Sequence, residues 1–184
     1  MTPRLYEKYK KEVIPAMVLK FGYASVMAVP KISKVTVNIG VGRFIKEKKI
    51  LEHIEKDLAT LTGQKPSVRK ARKSIAGFKV REGMPVGYMA TLRGARMYDF
   101  IDRLISIALP RSRDFRGIES KNIDAQGSLN LGVREHSIFP EISYESLKDI
   151  FSLQINVTTT AKTRGEGLEL LKLMGFPIRE PEEK

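Results

Sequence analysis

Apolar side chains recur every three or four residues in four segments of the chain, which is the spacing of one buried face of an α-helix. The first predicted helix follows Thr2-Pro3, which can serve as its N-cap and first residue. Pro15 lies inside this helix and is expected to kink or interrupt it, because proline donates no backbone hydrogen bond. The apolar positions of the four helices are Leu5, Tyr9, Val13, Met17 and Phe21; Ile50, Leu51, Ile54, Leu58 and Leu61; Met97, Phe100, Ile101, Leu104, Ile105 and Ala108; and Leu168, Leu170, Leu171 and Met174.

Apolar and polar residues alternate strictly at 34–39 and alternate again at 153–160, and at 86–93 the residues Val86, Tyr88, Ala90 and Leu92 share one face. All three patterns are typical of half-buried strands. Two further strands are predicted near 67–71 and 128–133. The order is a helix, then β-α-β-β-α-β, then a strand and a helix. We therefore predict an α+β fold: an antiparallel sheet with helices packed on one face, built on a split β-α-β-β-α-β (ferredoxin-like) core with additional N-terminal and C-terminal helices.

The length of 184 residues favours one domain, 1–184. Two long loops are expected, at about 71–85 between the second and third strands and at about 110–128 before the fourth.

A sheet covered by helices on one face leaves its other face open to water or to a ligand. If Val35, Val37 and Ile39 point to the helices, the open face shows basic, hydroxyl and amide groups without a carboxylate. These groups suit phosphate, ribose hydroxyls and base edges, and the absence of outward aromatic rings favours structured RNA over splayed single strands. The outward residues are Lys34, Thr36, Asn38, Thr91, Arg93, Gln154, Asn156 and Thr158.

Charge is distributed unevenly along the chain, whose net charge is +12. Residues 1–117 hold 25 basic and 10 acidic side chains, a net of +15, whereas residues 118–184 hold 8 basic and 11 acidic, a net of −3. A one-sided basic excess is typical of nucleic-acid binders. The alternatives are a protein-interaction module whose basic loop binds an acidic partner, and a nuclease, although carboxylates for its metals are scarce where the cations cluster.

The first long loop carries the most concentrated charge. From Lys65 to Arg81 the chain has seven basic residues and no acidic one. Ile75 and Phe78 interrupt this run and allow local packing or contact with an RNA sugar or base. We therefore expect this basic loop to be a binding segment rather than a solvated connection.

Other classes of function find little support in the sequence. The chain has no cysteine, and its longest uncharged stretch, 150–161, is shorter than the roughly 20 residues of a membrane-spanning helix. His53 and His136 lie beside acidic residues without metal-ligand spacing, so both are expected at solvated surface positions. We expect no catalysis, cofactor, metal or membrane partner, and a cytoplasmic location.

The chain resembles the bacterial large-subunit ribosomal protein five, from about Leu5 to Arg179. Ordered motifs carry this resemblance: NIGVG at 38–42, TGQKP at 62–66, ARKSIAGFKVREGMPVG at 71–87, TLRG at 91–94, LPRSRDFRG at 109–117, NLGVREHSIFPEI at 130–142, TTTA at 158–161 and LLKLMGFPIR at 170–179. The final residues 180–184 look like an extra acidic tail.

The resemblance implies a structural, ribosomal RNA-binding protein of the central protuberance, which binds 5S rRNA and helps to attach it to the large subunit beside the other components there. Asn38, Gln64 and Thr91 are the polar contacts to 5S rRNA that the resemblance implies, and Lys34, Thr36 and Arg93 join them from the open face.

The resemblance further implies that the basic loop approaches the elbow of the P-site tRNA, and that a basic protein of the small-subunit head contacts the chain in an intersubunit bridge. The loop candidates are Arg72, Lys73, Ser74, Phe78, Lys79 and Arg81. The bridge candidates, assigned from charge alone, are Glu135, Glu141, Glu145 and Asp149.

Overall fold

The structure is a computed structural model, and it describes residues 2–45, 47–113, 115–142 and 150–179. Strands within these ranges are β1 (Ile32–Gly40), β2 (Ser67–Lys70), β3 (Pro85–Leu92), β4 (Ile118–Glu119), β5 (Leu129–Val133), β6 (Leu153–Thr159) and β7 (Ile178–Arg179). Helices within the same ranges are α1 (Arg4–Lys8), α2 (Ile14–Phe21), α3 (Lys48–Thr62), α4 (Gly94–Arg103), α5 (Leu109–Arg111) and α6 (Arg164–Met174).

Among the described residues, five strands form one sheet in the order β2-β3-β1-β6-β5. β2 and β3 pair antiparallel, with Ser67 opposite Met89 and Val68 opposite Tyr88. The short strands β4 and β7 pair parallel in a separate small sheet. The predicted α+β class with a mostly antiparallel sheet is confirmed. The structure adds that β6, rather than β5, lies next to β1.

Two prolines lie within helical runs, and both are preceded by a wider π-helical turn. The turn Tyr9–Val13 joins α1 to α2 ahead of Pro15, and the turn Leu104–Ala108 joins α4 to α5 ahead of Pro110. A π-turn shifts the backbone hydrogen bonds by one residue, so the chain accommodates a residue without an amide hydrogen. The helical run therefore continues through Pro15 to Phe21.

The chain divides into two compact units. The first comprises Met1–Val35, Leu92–Leu131 and Asn156–Lys184, and the second comprises Thr36–Thr91 and Gly132–Ile155. That 1–184 acts as a single domain stays a prediction.

In the first unit, the predicted stripe of the N-terminal helices is buried from Leu5 to Met17, whereas Phe21 is partly exposed. The Tyr9 hydroxyl donates to the carbonyl oxygen of Pro30 at 3.1 Å. Helix α6 begins with a capping box, in which the side chains of Thr163 and Glu166 accept from each other's backbone N–H groups.

In the second unit, α3 supplies the buried side chains of Leu51, Ile54, Leu58 and Leu61 to the core. The helix ends at Gly63, whose φ of +66° is the left-handed conformation that glycine adopts without steric cost. The strands contribute Val37, Ile39, Tyr88 and Ala90 to the same buried set.

Candidate nucleic-acid interface

The outward residues of β1 follow the alternation that the sequence predicts. Val35, Val37 and Ile39 are at most 1% exposed. Lys34, Thr36 and Asn38 are half-buried between them. A strand directs successive side chains to opposite faces, so the polar residues lie on the face opposite the core. Their role in RNA binding stays a prediction.

Gln64 is held against β3 by a hydrogen bond. Its side-chain Nε2 donates to the carbonyl oxygen of Thr91 at 3.0 Å, within the second unit. Beside it, the buried hydroxyl of Thr62 lies 2.7 Å from the carbonyl oxygen of Leu58 and 3.1 Å from that of Gln64 itself. An amide side chain has a second N–H donor and an acceptor oxygen, so Gln64 keeps hydrogen-bonding capacity while it remains attached to β3.

Helical spacing alone assigns Gln64 only to the end of a helix, and the family resemblance is what identifies it as an RNA contact. The structure brings it onto Thr91, another residue of the predicted RNA contact. No local pattern predicts this pairing, because it joins residues 27 positions apart. The glycine and the proline of TGQKP, after a run of helical spacing, are the local signs of a turn at this position.

A close approach of two strands fixes the backbone beside Asn38. A side chain at Gly87 of β3 would place its Cβ 2.9 Å from the carbonyl oxygen of Ile39. Glycine is therefore required there. The backbone N–H of Val41 donates to the carbonyl oxygen of Val86 at 3.1 Å, which continues the pairing beyond the end of β1.

Lys34 and Arg93 belong to the first unit. Lys34 lies on β1, and Arg93 is an exposed residue immediately before α4. Gln154, Asn156 and Thr158 are exposed or half-buried on β6, as their alternation predicts. Asn156 also donates its side-chain Nδ2 to the Oδ1 of Asn130 on β5.

The basic loop joins β2 to β3 and is ordered by its own hydrogen bonds. At its base, the N–H of Ala71 donates to the carbonyl oxygen of Met84 at 2.8 Å, and the N–H of Gly83 donates to that of Ala71 at 3.0 Å. Midway, the N–H of Glu82 donates to the Ser74 hydroxyl at 2.9 Å. Residues 72–79 are all exposed.

The tip of the basic loop is a small hairpin. Ile75 and Val80 exchange two backbone hydrogen bonds of 2.9 and 3.2 Å, around a 3₁₀ turn at Ala76–Phe78. The Phe78 ring and the cations assigned to this loop from the sequence are therefore carried on one continuous hairpin. The hydroxyl of Ser74 is engaged as an acceptor within it and retains its proton for donation.

The acidic bridge candidates are only partly within the described residues. Glu135 is half-buried, and its Oε2 accepts from the Ser137 hydroxyl at 3.4 Å. Glu141 is also half-buried. Glu145 and Asp149 lie outside the described residues, as does the tail 180–184.

The expectation for His136 is wrong: the side chain is completely buried. Its Nδ1 accepts from the N–H of Phe151 at 3.4 Å, and its Nε2 lies 4.0 Å from Oδ2 of Asp57. Burial lowers the pKa of His136, although the carboxylate of Asp57 acts in the opposite direction. His53 is exposed, as expected.

Across residues 2–45, 47–113, 115–142 and 150–179, no group of three or more His, Cys, Asp and Glu side chains is arranged to hold a metal ion. Within the same ranges, no helix is both long and apolar enough to cross a membrane.

Two family models match the chain. The model described as ribosomal protein L5 matches residues 25–81, and the model of the ribosomal L5P family C-terminus matches residues 85–178. Together they cover the five-stranded sheet, most of the basic loop and the helices from α3 to α6.

Individual proteins match over nearly the whole chain. The large ribosomal subunit protein uL5 of Ralstonia pickettii is 52% identical over 179 residues, 97% of this chain and 99% of that protein. The uL5 protein of Syntrophomonas wolfei is 54% identical over 176 residues, 96% of this chain and 99% of that protein. The uL5 protein of Hamiltonella defensa is 53% identical over 176 residues, covering 96% and 98% respectively.

Matches of this extent confirm the resemblance seen in the motifs. They make the chain a structural protein of the large ribosomal subunit, cytoplasmic within the ribosome, and not an enzyme. The chain belongs to the ribosomal protein L5 family.

Proposed function

We propose that this large-subunit protein binds 5S rRNA through the open polar face of its sheet and helps to attach that RNA, beside other components, in the central protuberance. Asn38, Gln64 and Thr91 supply the hydrogen bonds, and Thr36, Lys34 and Arg93 extend the contact. The hydrogen bond from Gln64 to the Thr91 carbonyl carries the proposal, since it fixes the backbone beneath two of these residues before RNA arrives.

The chemistry of this face supports RNA over an acidic protein. The face offers hydroxyl and amide groups, which donate and accept hydrogen bonds with ribose and base edges. An acidic protein partner would require mainly cations, and those concentrate in the basic loop instead. Amide groups can bind the base edges of a folded RNA, and the flanking cations can bind its phosphates.

The basic loop is proposed to contact P-site tRNA through Arg72, Lys73, Ser74, Lys79 and Arg81, with Phe78 at the tip. Its internal hydrogen bonds hold the cations on a hairpin that extends beyond β2 and β3, so a body attached to one RNA can present charge to a second. Phosphate contacts of this kind release counterions and are weakened by salt.

The acidic residues Glu135 and Glu141, together with Glu145 and Asp149, are proposed to meet a basic protein of the small-subunit head. The negative charge of these four side chains supports the proposal, because residues 118–184 are net acidic in a chain that is otherwise strongly basic. Opposite charges steer association and set its salt dependence.

The experiment for the 5S rRNA proposal is a binding titration of the full chain with 5S rRNA and with an unrelated RNA of the same length, at several salt concentrations. We expect tighter binding to 5S rRNA, with affinity falling as salt rises. Equal affinity for the two RNAs would reduce the contact to nonspecific attraction. Recovery of an acidic protein instead of 5S rRNA in a pull-down from cell extract would favour the protein-interaction module.

A further inference from the structure

We propose that Phe78 is a stacking platform, whose ring lies against an exposed nucleobase of the RNA that the basic loop contacts. The inference rests on the proposed function of the loop and deepens it, because it adds recognition of a base face to the attraction of phosphates. RNA-binding proteins use aromatic rings in this way wherever a base is free of its own stack.

The ring of Phe78 is largely exposed to water. It is 76% exposed, and the neighbouring side chain of Ile75 is 49% exposed. Exposing so large an apolar ring forgoes the stabilisation that burial gives. Single exposed apolar side chains are common on protein surfaces, but Phe78 is distinguished by an ordered backbone and by the cations around it.

The ring is held by an ordered backbone. The N–H of Phe78 donates to the carbonyl oxygen of Ile75 at 3.3 Å, and the N–H of Lys79 donates to that of Ala76 at 3.0 Å. The bridge between Ile75 and Val80 closes the hairpin below this turn. A side chain on a preformed turn loses less freedom when it binds than one on a mobile loop.

The residue after Phe78 has a strained backbone. Lys79 has a φ of +53°, and among the described residues it is the non-glycine position with positive φ. This left-handed conformation is uncommon for a lysine and has an energetic cost. Unfavourable backbone conformations of this kind cluster at ligand-binding positions, and here Lys79 ends the 3₁₀ turn that carries Phe78.

The surroundings of the ring indicate the partner. Seven basic residues and no acidic one lie between Lys65 and Arg81. An apolar pocket on another protein would accept the ring but would leave these cations without counter-charges. An RNA supplies a flat base for the ring and phosphates for the cations at the same place, so the two features of the loop have one explanation.

The main test uses ribosomes that carry variants of this chain, with the dissociation rate of P-site tRNA as the readout. We expect Phe78→Ala to accelerate dissociation by roughly 10-fold, which is the range of one base–aromatic stack. Phe78→Tyr and Phe78→Trp should retain wild-type rates. Phe78→Leu, which is apolar but has no π face, should behave as Phe78→Ala. The ratio of the Phe78→Ala dissociation rate to the wild-type rate should be the same at low and high salt, because a base–aromatic stack releases no counterions.

A second readout uses the absence of tryptophan from the chain. In the full-length Phe78→Trp variant, the introduced indole is the one tryptophan, and its fluorescence reports the position directly. Titration with tRNA should quench this fluorescence as a base stacks on the indole. Full fluorescence at a tRNA concentration that saturates binding would overturn the proposal.

Two outcomes separate this inference from the function on which it rests. If neutralising Arg72, Lys73, Lys79 and Arg81 accelerates tRNA dissociation while Phe78→Ala does not, the loop contacts tRNA and the stacking proposal alone is wrong. If neither change affects tRNA, the proposed loop function fails as well. A wild-type rate of tRNA dissociation from ribosomes that carry Phe78→Leu would also overturn stacking. It would mean that Phe78 enters an apolar pocket and does not stack on a base.

Discussion

The imidazole of His136 lies flat against the ring of Phe151, with centroids 3.8 Å apart and planes 12° apart. Their backbones are also joined, as the N–H of His136 donates to the carbonyl oxygen of Phe151 at 3.2 Å. The N–H of Phe151 in turn donates to Nδ1 of the imidazole. Since Nδ1 accepts, a neutral ring carries its proton on Nε2, which faces Asp57 at a distance too long for a hydrogen bond.

This buried imidazole predicts a loss of stability in mild acid. Burial lowers the pKa of His136 in the folded state, whereas the unfolded chain should titrate near the ordinary value of about 6.5. As the pH falls through that value, the unfolded state binds a proton that the folded state does not. The free energy of unfolding should then decrease by up to about 1.4 kcal/mol per pH unit, as measured by urea unfolding between pH 8 and pH 5.

His136→Asn is the matched variant, because an amide oxygen can still accept from Phe151 and does not titrate. It should be less stable at every pH, through loss of the stacked ring, but its stability should vary less between pH 7 and pH 5. His53→Asn makes the same substitution at an exposed histidine and should keep the wild-type stability at pH 8. An identical pH dependence for the wild type and His136→Asn would contradict the assignment.

Sequence reasoning failed at His136 for an identifiable reason. Its neighbour Glu135 and its polar character favoured the surface, and its actual partners, Phe151 and Asp57, are distant in sequence. By contrast, the alternation around Val35, Val37 and Ile39 predicted which side of β1 is buried, because a strand's two faces are encoded locally.

Adding one methyl group at Gly167 in α6 should lower the stability of the protein substantially. Its Cβ would lie 2.2 Å from the Cα of Gly127 and 2.4 Å from the carbonyl oxygen of Gly127. These are backbone atoms, so α6 would have to move. Gly167→Ala should therefore destabilise the protein by about 1–3 kcal/mol despite the higher helix propensity of alanine, as measured by chemical unfolding.

Gly165 on the same helix is the control, since a Cβ there meets nothing within 4 Å. Gly165→Ala should leave stability unchanged or raise it by about 0.5–1 kcal/mol. If both alanines were equally tolerated, the close approach of Gly127 to Gly167 would not be a feature of the protein in solution.

The fold was predictable to the extent that its determinants are local. Pro15 marked a disturbance in the N-terminal helix, but the sequence did not show that a π-turn ahead of it would let the helix continue. The position of β6 beside β1 was equally beyond a local pattern, because strand order depends on pairing between distant segments. The sequence also did not predict that the basic loop is held by internal hydrogen bonds. Ser74 and Ala71 are bonded to residues on the far side of the loop tip, and such pairing has no local pattern.

Binding of 5S rRNA should depend on individual polar side chains of the open face. Asn38→Ala and Thr91→Ala should each weaken binding by about 1–3 kcal/mol if the side chain makes a buried hydrogen bond to RNA. Gln64→Ala removes both a contact and the hydrogen bond to Thr91, so its effect should be at least as large. The measurement is a titration with 5S rRNA at fixed salt.

Thr60→Ala and Gln126→Ala are suitable controls, because both residues are exposed and lie off the open face of the sheet. They should bind 5S rRNA as the wild type does. All variants should keep the wild-type melting temperature within a few degrees, since none of the side chains lies in the core. Equal weakening by controls and test variants would mean that no specific hydrogen bond is involved.

The basic loop and the sheet should be separable functions. Arg72, Lys73, Lys79 and Arg81 are exposed on the hairpin, so their neutralisation removes phosphate contacts and no core packing. Gln is suitable at three of the positions, and Asn at Lys79, because asparagine tolerates the φ of +53°. Each lost contact should lower the salt slope of the bound RNA by roughly one unit.

If the RNA at the loop is tRNA, this quadruple variant should bind 5S rRNA and enter the large subunit almost normally. P-site tRNA should dissociate faster from ribosomes that carry this variant, because cations that bind the tRNA phosphates have been removed. Neutralising the exposed residues Arg43, Lys48, Lys49 and Arg116 changes the net charge equally and should leave tRNA retention at the wild-type level. A collapse of 5S affinity with normal tRNA retention would instead assign the loop to the 5S contact, because only the RNA that touches these cations can lose counterion release when they are neutralised.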